Sequence, residues 1–423
     1  ILEKWELEAE VIGRVTDDGM FRVAHDGVTV AEIPALPLTD ACPTYEREGI
    51  EAPEVAALRE QPLPEGPAIT NGEELRAVVE RMLTSPNLCS RRWIYEQYDT
   101  TVRTSTVRRP GGDAGAVRVR GTHRAVAATT DCNGRYVYLD PHVGAQAAVA
   151  EAARNLVCVG ALPTAITNNL NFGNPLKPPI YHQLREAVRG IGEACQLFET
   201  PVTGGNVSLF NETDGRAIHP TPVIGMVGVI EDLEHLTSHA FQNVGDAIVL
   251  LGTNTDELGG SEFLYRMHDG LVAGRPPGVD LLFERSLQQA VLDMIRGGHL
   301  HSAHDCAEGG LLIALLESAI GNGHNLIGFD VELGGGDADL EADLSPAALF
   351  FGEGHGRIVV TCAPEVVDAV LAGAERHGIP AARIGTVTPG DTPLRVRGAG
   401  LEMTADLATL ARLHAGVLPQ IMD

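Results

Sequence analysis

The amino-acid sequence predicts a protein of mixed α/β and α+β class with more than one domain. Stretches rich in β-branched residues alternate with stretches whose apolar residues recur at helical spacing, a pattern typical of sheets covered by helices. The length of 423 residues exceeds that of a single ordinary domain. A segment at the start of the chain also resembles one near its end, which indicates an internal duplication.

The repeated segment joins residues 3–16 to residues 375–388. The two stretches, EKWELEAEVIGRVT and ERHGIPAARIGTVT, align without gaps and are identical at six of fourteen positions. After one inserted residue the likeness resumes, with residues 21–23 opposite residues 394–396. Chance similarity between two helix-to-strand junctions is the alternative. With copies of equal length, roughly 300 residues would precede residue 1, so we expect the chain to be part of a longer protein.

The elements after the repeat can be assigned in order. Residues 11–33 predict a meander of three strands, VIGRV, MFRVAH and VTVAEI, separated by turns that contain Asp-Gly. A segment rich in Pro and Glu from about 43 to 70 predicts a linker that lies on a surface. The helix NGEELRAVVERMLTS is expected to follow it.

The remaining sequence predicts two further units. In the first, the strands AVRVRG and AVAATTDC precede two helices, PHVGAQAAVAEAARNLVCVG and YHQLREAVRGIGEACQLFE, and a buried strand, TPVIGMVGVIED, ends the unit. The second opens with the strand GDAIVLLG and continues through helices at 282–297 and 309–320. It closes with RIVVTCA, EVVDAVLAGAERHG and IGTVT.

Composition limits the class of partner and the compartment. The formal net charge of −26 disfavours binding to nucleic acid or to an anionic membrane, because both attract basic surfaces. No apolar run approaches the roughly 18 residues of a membrane span. The seven cysteines are scattered and form no CxxC pair, which favours a reducing, cytoplasmic location.

The strongest candidate motif is TPVTGGNVSLFNET at 200–213. Glycines such as Gly205 let a backbone approach a ligand closely, and successive N–H groups can hold phosphate oxygens. Asn206 offers a neutral oxygen suited to Mg²⁺ shared with phosphates. Ser208 would project to the same face of an extended chain. Taken alone, the motif is better explained as a tight turn.

A second amide-rich stretch, ITNNLNFGNPLKP at 166–178, contains Asn168, Asn169 and Asn171. It predicts either a loop that caps the next helix or a polar loop facing a nucleotide. The two stretches are joined by one helix, and each is expected to begin where a strand ends. Ligands in such folds usually bind at that place.

Four other motifs are less specific. Asp305 and Glu308 precede a strongly apolar helix, where they would either cap it or lie beside a bound anion. The motif TTDCNGRYVYLDP at 129–141 predicts either charge pairs or the edge of a ligand cleft. The motif FGEGHGR at 351–357 predicts a glycine-rich turn. HLHSAH at 299–304 lacks the spacing of a metal site.

Together these motifs resemble one family. RRWIYEQYD, TTDCNGRYVYLDP, NLNFGNP, GGNVS, LGGSEFL and AHDCAEGGL occur in order over essentially the whole chain, as in the bacterial synthetase subunit of phosphoribosylformylglycinamidine synthase. The resemblance implies two copies of an aminoimidazole-ribonucleotide-synthetase-like unit. Residues 1–42 would end the first copy, 43–85 would form a linker and helix, and 86–232 and 233–423 would be the N-terminal and C-terminal domains of the second.

The resemblance also implies a reaction, partners and site residues. ATP and Mg²⁺ would drive conversion of formylglycinamide ribonucleotide to its amidine, with ammonia from a glutaminase subunit and a small bridging subunit in the complex. By position in the family's motifs, Asn168 and Gly205 would contact ATP. Asn206 would be a Mg²⁺ ligand, and Ser208 would contact the substrate. Position 168 is often Asp in the family. The catalytic histidines of the family belong to the first copy, so no catalytic residue is expected in this chain.

Two other functions compete with this one. A selenophosphate synthetase or thiamine-phosphate kinase would share the fold but not NLNFGNP. A non-catalytic module that binds nucleotide and docks the other subunits is the alternative from another class.

Overall fold

The computed structural model describes residues 2–64, 66–323, 325–334 and 344–422. The chain divides into two compact units, Ile1–Glu48 and Gly49–Asp423. The first unit contains one antiparallel hairpin, made of β1 (Met20–His25) and β2 (Val28–Pro34). Its side chains are almost all exposed.

The predicted three-stranded meander is therefore wrong in its first strand. Residues 11–16 adopt no regular structure in the described first unit, and Val11, Ile12 and Val15 are 94–101% exposed. The second copy of this segment lies in the strand Ala381–Pro389, which has a strand on each side. A strand needs such partners for its backbone N–H and C=O groups, and the first unit contains none for residues 11–16.

The hairpins that follow the two copies pair alike near their turns. His25 lies opposite Val28 in the first unit, as Gly398 lies opposite Leu401 in the second, and a bulge between Val23 and Ala24 shifts the register of the first hairpin beyond that point. The matching side chains differ in burial, because Phe21 is 53% exposed whereas Leu394 is fully buried.

Within its described residues, the second unit contains two large sheets, the helices that cover them, and a two-stranded antiparallel sheet made of Glu212–Thr213 and Arg216–Ala217. Its strands are β3 (Thr106–Arg108), β4 (Gly115–Arg118), β5 (Ala125–Asp131), β6 (Leu162–Asn171), β7 (Val202–Ser208), β8 (Glu212–Thr213), β9 (Arg216–Ala217), β10 (Thr221–Ile230), β11 (Ala247–Leu251), β12 (Ser302–Asp305), β13 (Ile327–Leu333), β14 (Ile358–Cys362), β15 (Ala381–Pro389), β16 (Leu394–Gly398) and β17 (Leu401–Ala405). Its helices are α1 (Pro53–Glu60), α2 (Gly72–Leu83), α3 (Arg92–Tyr95), α4 (Gly134–Leu139), α5 (Pro141–Cys158), α6 (Pro178–Phe198), α7 (Glu262–Met267), α8 (Leu281–Arg296), α9 (Gly310–Ile320), α10 (Pro346–Phe351), α11 (Val367–Arg376) and α12 (Leu407–Met422).

The first sheet has the order β3-β4-β5-β10-β6-β7 and packs one face on α5 and α6. β6 and β7 run parallel because α6 forms the crossover between them. β10 was predicted as a buried strand, but its residues alternate between buried and more accessible positions. Only one face of this strand is therefore in the core.

The second sheet has the order β12-β14-β11-β15-β13-β16-β17. β11 is buried on both faces, since Val249 packs toward α8 and α11 while Ile248 and Leu250 pack toward α2 and α9. The continuous apolar run AIVLL is what such a central strand requires. The mixed class predicted from the sequence is confirmed.

Two smaller differences from the sequence prediction have local causes. Helix α1 lies within the stretch predicted as a linker, where Pro53 begins the helix and Val55 is buried. Among the described residues, no helix is long and apolar enough to cross a membrane.

Candidate functional site

The four residues predicted to bind ligand lie on two neighbouring strands at the edge of the first sheet. Asn168 belongs to β6, while Gly205, Asn206 and Ser208 belong to β7. Asn168 lies directly opposite Gly205 in the parallel register. The prediction that the asparagines form a loop is wrong, because β10 and β7 pair with β6 as far as Asn171.

Gly205 is required by its neighbour across the strands. A Cβ at this position would lie 2.1 Å from Oδ1 of Asn168, far inside contact distance. At the adjacent Gly204, a Cβ would meet nothing within 4 Å. The amide of Asn168 thus occupies the space that a side chain at 205 would need, and the two predicted ATP contacts form one unit.

A second pair of amides continues the same strip. Nδ2 of Asn206 donates a hydrogen bond to Oδ1 of Asn169, with a distance of 2.9 Å. Asn206 is exposed on the outermost strand of the sheet. Its Oδ1 therefore stays available to accept from a ligand or to coordinate a cation.

The turn after β7 is tied to the turn after β6. The hydroxyl of Ser208 donates to Oδ1 of Asn211 at 3.2 Å, and Nδ2 of Asn211 donates to the carbonyl oxygen of Phe172 at 3.0 Å. The N–H of Phe210 donates to the carbonyl of Gly173 at 3.0 Å. Phe210 adopts φ 61°, a strained value for a residue with a side chain. The ends of both strands are thereby held together.

A charged clamp, unrecognised in the sequence, fixes the turn that follows β6. The carboxylate of Glu212 accepts from the N–H of Asn174 at 3.0 Å and from Nζ of Lys177 at 2.8 Å. The Lys177 ammonium lowers the pKa of Glu212 below its usual value. The available signal was that Lys177 is one of only two lysines in the chain.

A second group of polar residues lies in the interior between the two sheets. Arg154, on α5, is fully buried and forms ion pairs with Glu284 at 2.5 Å and with Asp305 at 2.6 Å. Asp305 ends β12. The side chain of Asp305 therefore joins β12 of the second sheet to helix α5, which packs on the first sheet.

Of the two interpretations of Asp305 and Glu308, the structure does not support the one in which they cap the apolar helix. Helix α9 begins at Gly310 and receives no side-chain cap from its flanking residue, and Glu308 accepts instead from Nδ2 of Asn133 at 3.0 Å. The N–H of Gly309 donates to Glu353 at 2.7 Å. The N–H group of the residue just before this helix is thus bound by a carboxyl group of the protein.

Glu353 connects three of the sequence motifs. It also accepts from the N–H of Glu262 at 2.8 Å and from the hydroxyl of Tyr136. Burial raises the pKa of Glu353 to about 7. The glycine-rich stretch FGEGHGR, whose role the sequence left open, serves here to place this carboxylate.

TTDCNGRYVYLDP provides caps and a charge pair. Asn133 and Asp140 cap the N-termini of α4 and α5, and Arg135 forms an ion pair with Glu262 at 2.8 Å. Asp131, at the end of β5, lies near other buried carboxyls. The structure therefore favours the interpretation of this motif as a source of charge pairs, as far as Arg135 is concerned.

Asp131, Glu151 and Glu308 form an acidic group in this interior. Burial, and then the neighbouring carboxyls, raise the pKa of Asp131 and Glu151, and burial raises that of Glu308. Within the described residues, no group of three or more His, Cys, Asp or Glu has an arrangement that could hold a metal ion.

Comparison with known families supports the predicted fold class. The family model described as AIR synthase related protein, N-terminal domain, matches residues 111–230, and the one for the C-terminal domain matches residues 243–396. The predicted fold class with these two domains is thereby confirmed.

The chain is similar to subunits of a known synthase. It is 48% identical over 398 residues to phosphoribosylformylglycinamidine synthase subunit PurL of Moorella thermoacetica, covering 94% of this chain and 52% of that protein. The PurL subunit of Alkaliphilus metalliredigens is 41% identical over 424 residues, covering 100% and 55%. The chain spans about half the length of the curated relatives it matches.

Solved structures show the same fold. T. maritima PurL complexed with FGAR superposes with a TM-score of 0.65 at 21% identity, covering 80% of this chain and 53% of that one. T. maritima PurL complexed with AMPPCP gives a TM-score of 0.57 at 21% identity, covering 79% and 50%.

Proposed function

The chain belongs to the family of phosphoribosylformylglycinamidine synthase subunit PurL, and on this premise we propose that it forms part of an ATP-dependent synthetase of purine biosynthesis. Relatives with that name are similar to it over 94–100% of its length. The site that carries the proposal is the amide strip, which consists of Asn168 and Asn169 on β6 and Gly205 and Asn206 on β7. Its side-chain oxygens can accept hydrogen bonds, and the backbone at Gly205 carries no side chain.

In the proposed reaction, the γ-phosphoryl group of ATP is transferred to the amide oxygen of formylglycinamide ribonucleotide. Ammonia then attacks the activated carbon, and the C–O bond breaks to release phosphate and leave the amidine. A glutaminase subunit supplies the ammonia, and a small subunit bridges the two. Such phosphoryl transfer depends chiefly on positioning and on neutralising phosphate charge.

Within this reaction, the amide strip forms one wall of the site. Asn168 and Gly205 contact ATP, where the missing Cβ at 205 allows close approach. Asn206 would hold Mg²⁺ through Oδ1, because Asn169 already satisfies its Nδ2. A neutral oxygen suits this hard cation, which would neutralise phosphate charge when bound. Ser208 contacts the substrate.

The observation that carries these assignments is the register of β6 and β7, since it places Asn168 opposite Gly205 and Asn169 opposite Asn206. Binding of AMPPCP with Mg²⁺ to this chain, measured by calorimetry, tests it. Asn206→Ala should abolish the Mg²⁺-dependent part of binding. The matched control is Val202→Ala, an exposed residue of the same strand, which should bind as the unchanged chain does. Equal binding by both variants would mean that Asn206 has only a structural role in β7 and does not bind Mg²⁺.

A second function is favoured by the length of the chain. It spans about half of its curated relatives, and its described residues present one wall of a site. We therefore propose that this part alone binds nucleotide without turnover and serves as a docking module. Assay of amidine formation from ammonia, ATP and formylglycinamide ribonucleotide tests this, and measurable product would reject it.

A further inference from the structure

A concentration of arginines lies at the edge of the first sheet farthest from the amide strip. Residues 91–124 contain eight arginines and three acidic residues, within a chain whose net charge is −26. β3, the outermost strand, and β4 belong to this segment. A local excess of five positive charges in so acidic a chain creates a field of opposite sign at this edge.

Three of these arginines meet at one loop. Nη2 of Arg118 donates to the carbonyl oxygen of Thr104 at 3.0 Å. Arg120 donates from Nε to the hydroxyl of Ser105 at 3.1 Å and from Nη2 to the carbonyl oxygen of Arg103. Arg103, Arg118 and Arg120 are all exposed, and we call them the arginine edge.

The charge of the arginine edge is not neutralised. Among the described residues, none of its three guanidinium groups forms an ion pair with a carboxylate, since their acceptors are neutral oxygens. Arg124, a few residues away, does form such a pair with Glu231 at 2.7 Å. Gathering like charges opposes folding, so the edge is retained at a cost in stability.

The loop beneath these arginines is also strained. Arg103 and Thr104 adopt φ 57° and 54°, in the left-handed region that residues with side chains rarely occupy. The hydrogen bonds from Arg118 and Arg120 to this loop hold it there. Strain of this kind that surrounding contacts maintain is common where a protein binds a ligand.

We propose that the arginine edge docks an acidic segment of a partner protein. Each guanidinium retains N–H donors that fit carboxylates in a forked geometry. Val102 and Val119, which are 58% and 42% exposed, flank the edge and provide the apolar contacts of a protein interface. A nucleic acid fits less well, because three arginines neutralise only a few of its phosphates. This surface is separate from the amide strip and does not rest on the proposed reaction.

The probe for this surface is a labelled oligoglutamate peptide, with oligothymidylate of equal length as the competing polyanion. The peptide should bind this chain at low ionic strength and be released as salt is raised. The triple variant Arg103→Gln/Arg118→Gln/Arg120→Gln should weaken peptide binding by about tenfold or more. The control, Arg76→Gln/Arg285→Gln/Arg296→Gln, removes equal charge from exposed positions elsewhere and should bind as before.

Because Arg118 and Arg120 also hold the loop, Arg103→Gln is measured alone. Its guanidinium makes no hydrogen bond within the described chain, so the melting temperature should not change while peptide affinity falls. Absence of peptide binding, equal loss in the control, tighter binding of oligothymidylate, or unchanged affinity in Arg103→Gln would each overturn the proposal.

Discussion

The side-chain oxygen of Asn168 lies where a side chain of residue 205 would begin, 2.1 Å from the position of a Cβ on Gly205. The two residues are 37 positions apart and face each other across β6 and β7. An amide on one strand is thus accommodated by a glycine on the next.

We predict that Gly205→Ala destabilises the protein by about 1–3 kcal/mol, because the added methyl group must displace the Asn168 amide. Chemical denaturation measures the effect. Gly204→Ala is the matched control and should cost well under that amount, since its Cβ meets nothing within 4 Å. Adding Asn168→Ala to Gly205→Ala should recover part of the lost stability. Equal costs at 204 and 205 would contradict the close approach.

The buried carboxyl of Glu353 should make stability depend on pH. Burial raises its pKa from the usual 4.5 to about 7, so the folded state binds this proton more tightly than the unfolded state does. Its contribution is fully present below pH 4.5 and is lost as pH rises through about 7, by up to about 3 kcal/mol.

Glu353→Gln keeps a side-chain oxygen that can accept from the N–H groups of Gly309 and Glu262, but it removes the carboxyl group that titrates. We therefore expect the stability of this variant, relative to the unchanged protein, to rise between pH 5 and pH 7. Urea unfolding at several pH values measures the difference. Glu96→Gln, at an exposed position paired with Arg92, is the control and should show no such trend. A constant difference across this range would show that Glu353 does not titrate there.

Removing Arg154 should be among the most destabilising single changes in the chain. Arg154→Met would leave the carboxylates of Glu284 and Asp305 buried without their cation, at a cost of about 3–5 kcal/mol. Arg124→Met removes an ion pair whose side chains are 60% and 56% exposed, and should cost less than about 1 kcal/mol. Thermal or chemical unfolding compares the two, and similar costs would argue against the buried network.

The first copy of the repeat should be open to proteolysis. Arg14 is exposed and lies in backbone without regular structure, so trypsin should cut after it early in a limited digest. Arg383, in the second copy, lies in β15 between two strands and should resist cleavage for much longer. Arg14→Gln should remove the early product. Equal protection at both sites would indicate that residues 11–16 form a strand in solution.

Local sequence was sufficient for much of this fold. Helical periodicity and flanking residues predicted α5, α8 and α9 to within a few residues, and the apolar run AIVLL predicted β11. Such signals lie within about ten neighbouring residues, where backbone preference and side-chain spacing act directly. The motifs around Asn168 and Gly205 likewise indicated the family before any pairing was known.

The tertiary structure decided what those segments do. Nearly the same sequence forms a strand in β15 and irregular backbone at residues 11–16, because only the second copy has neighbouring strands. The carboxyl group that binds the N–H of Gly309, just before α9, comes from Glu353, 44 residues farther along the chain, and the space for the Asn168 amide comes from Gly205. A backbone hydrogen bond or a close approach needs a partner that is distant in the chain, so its position is fixed only when the chain folds.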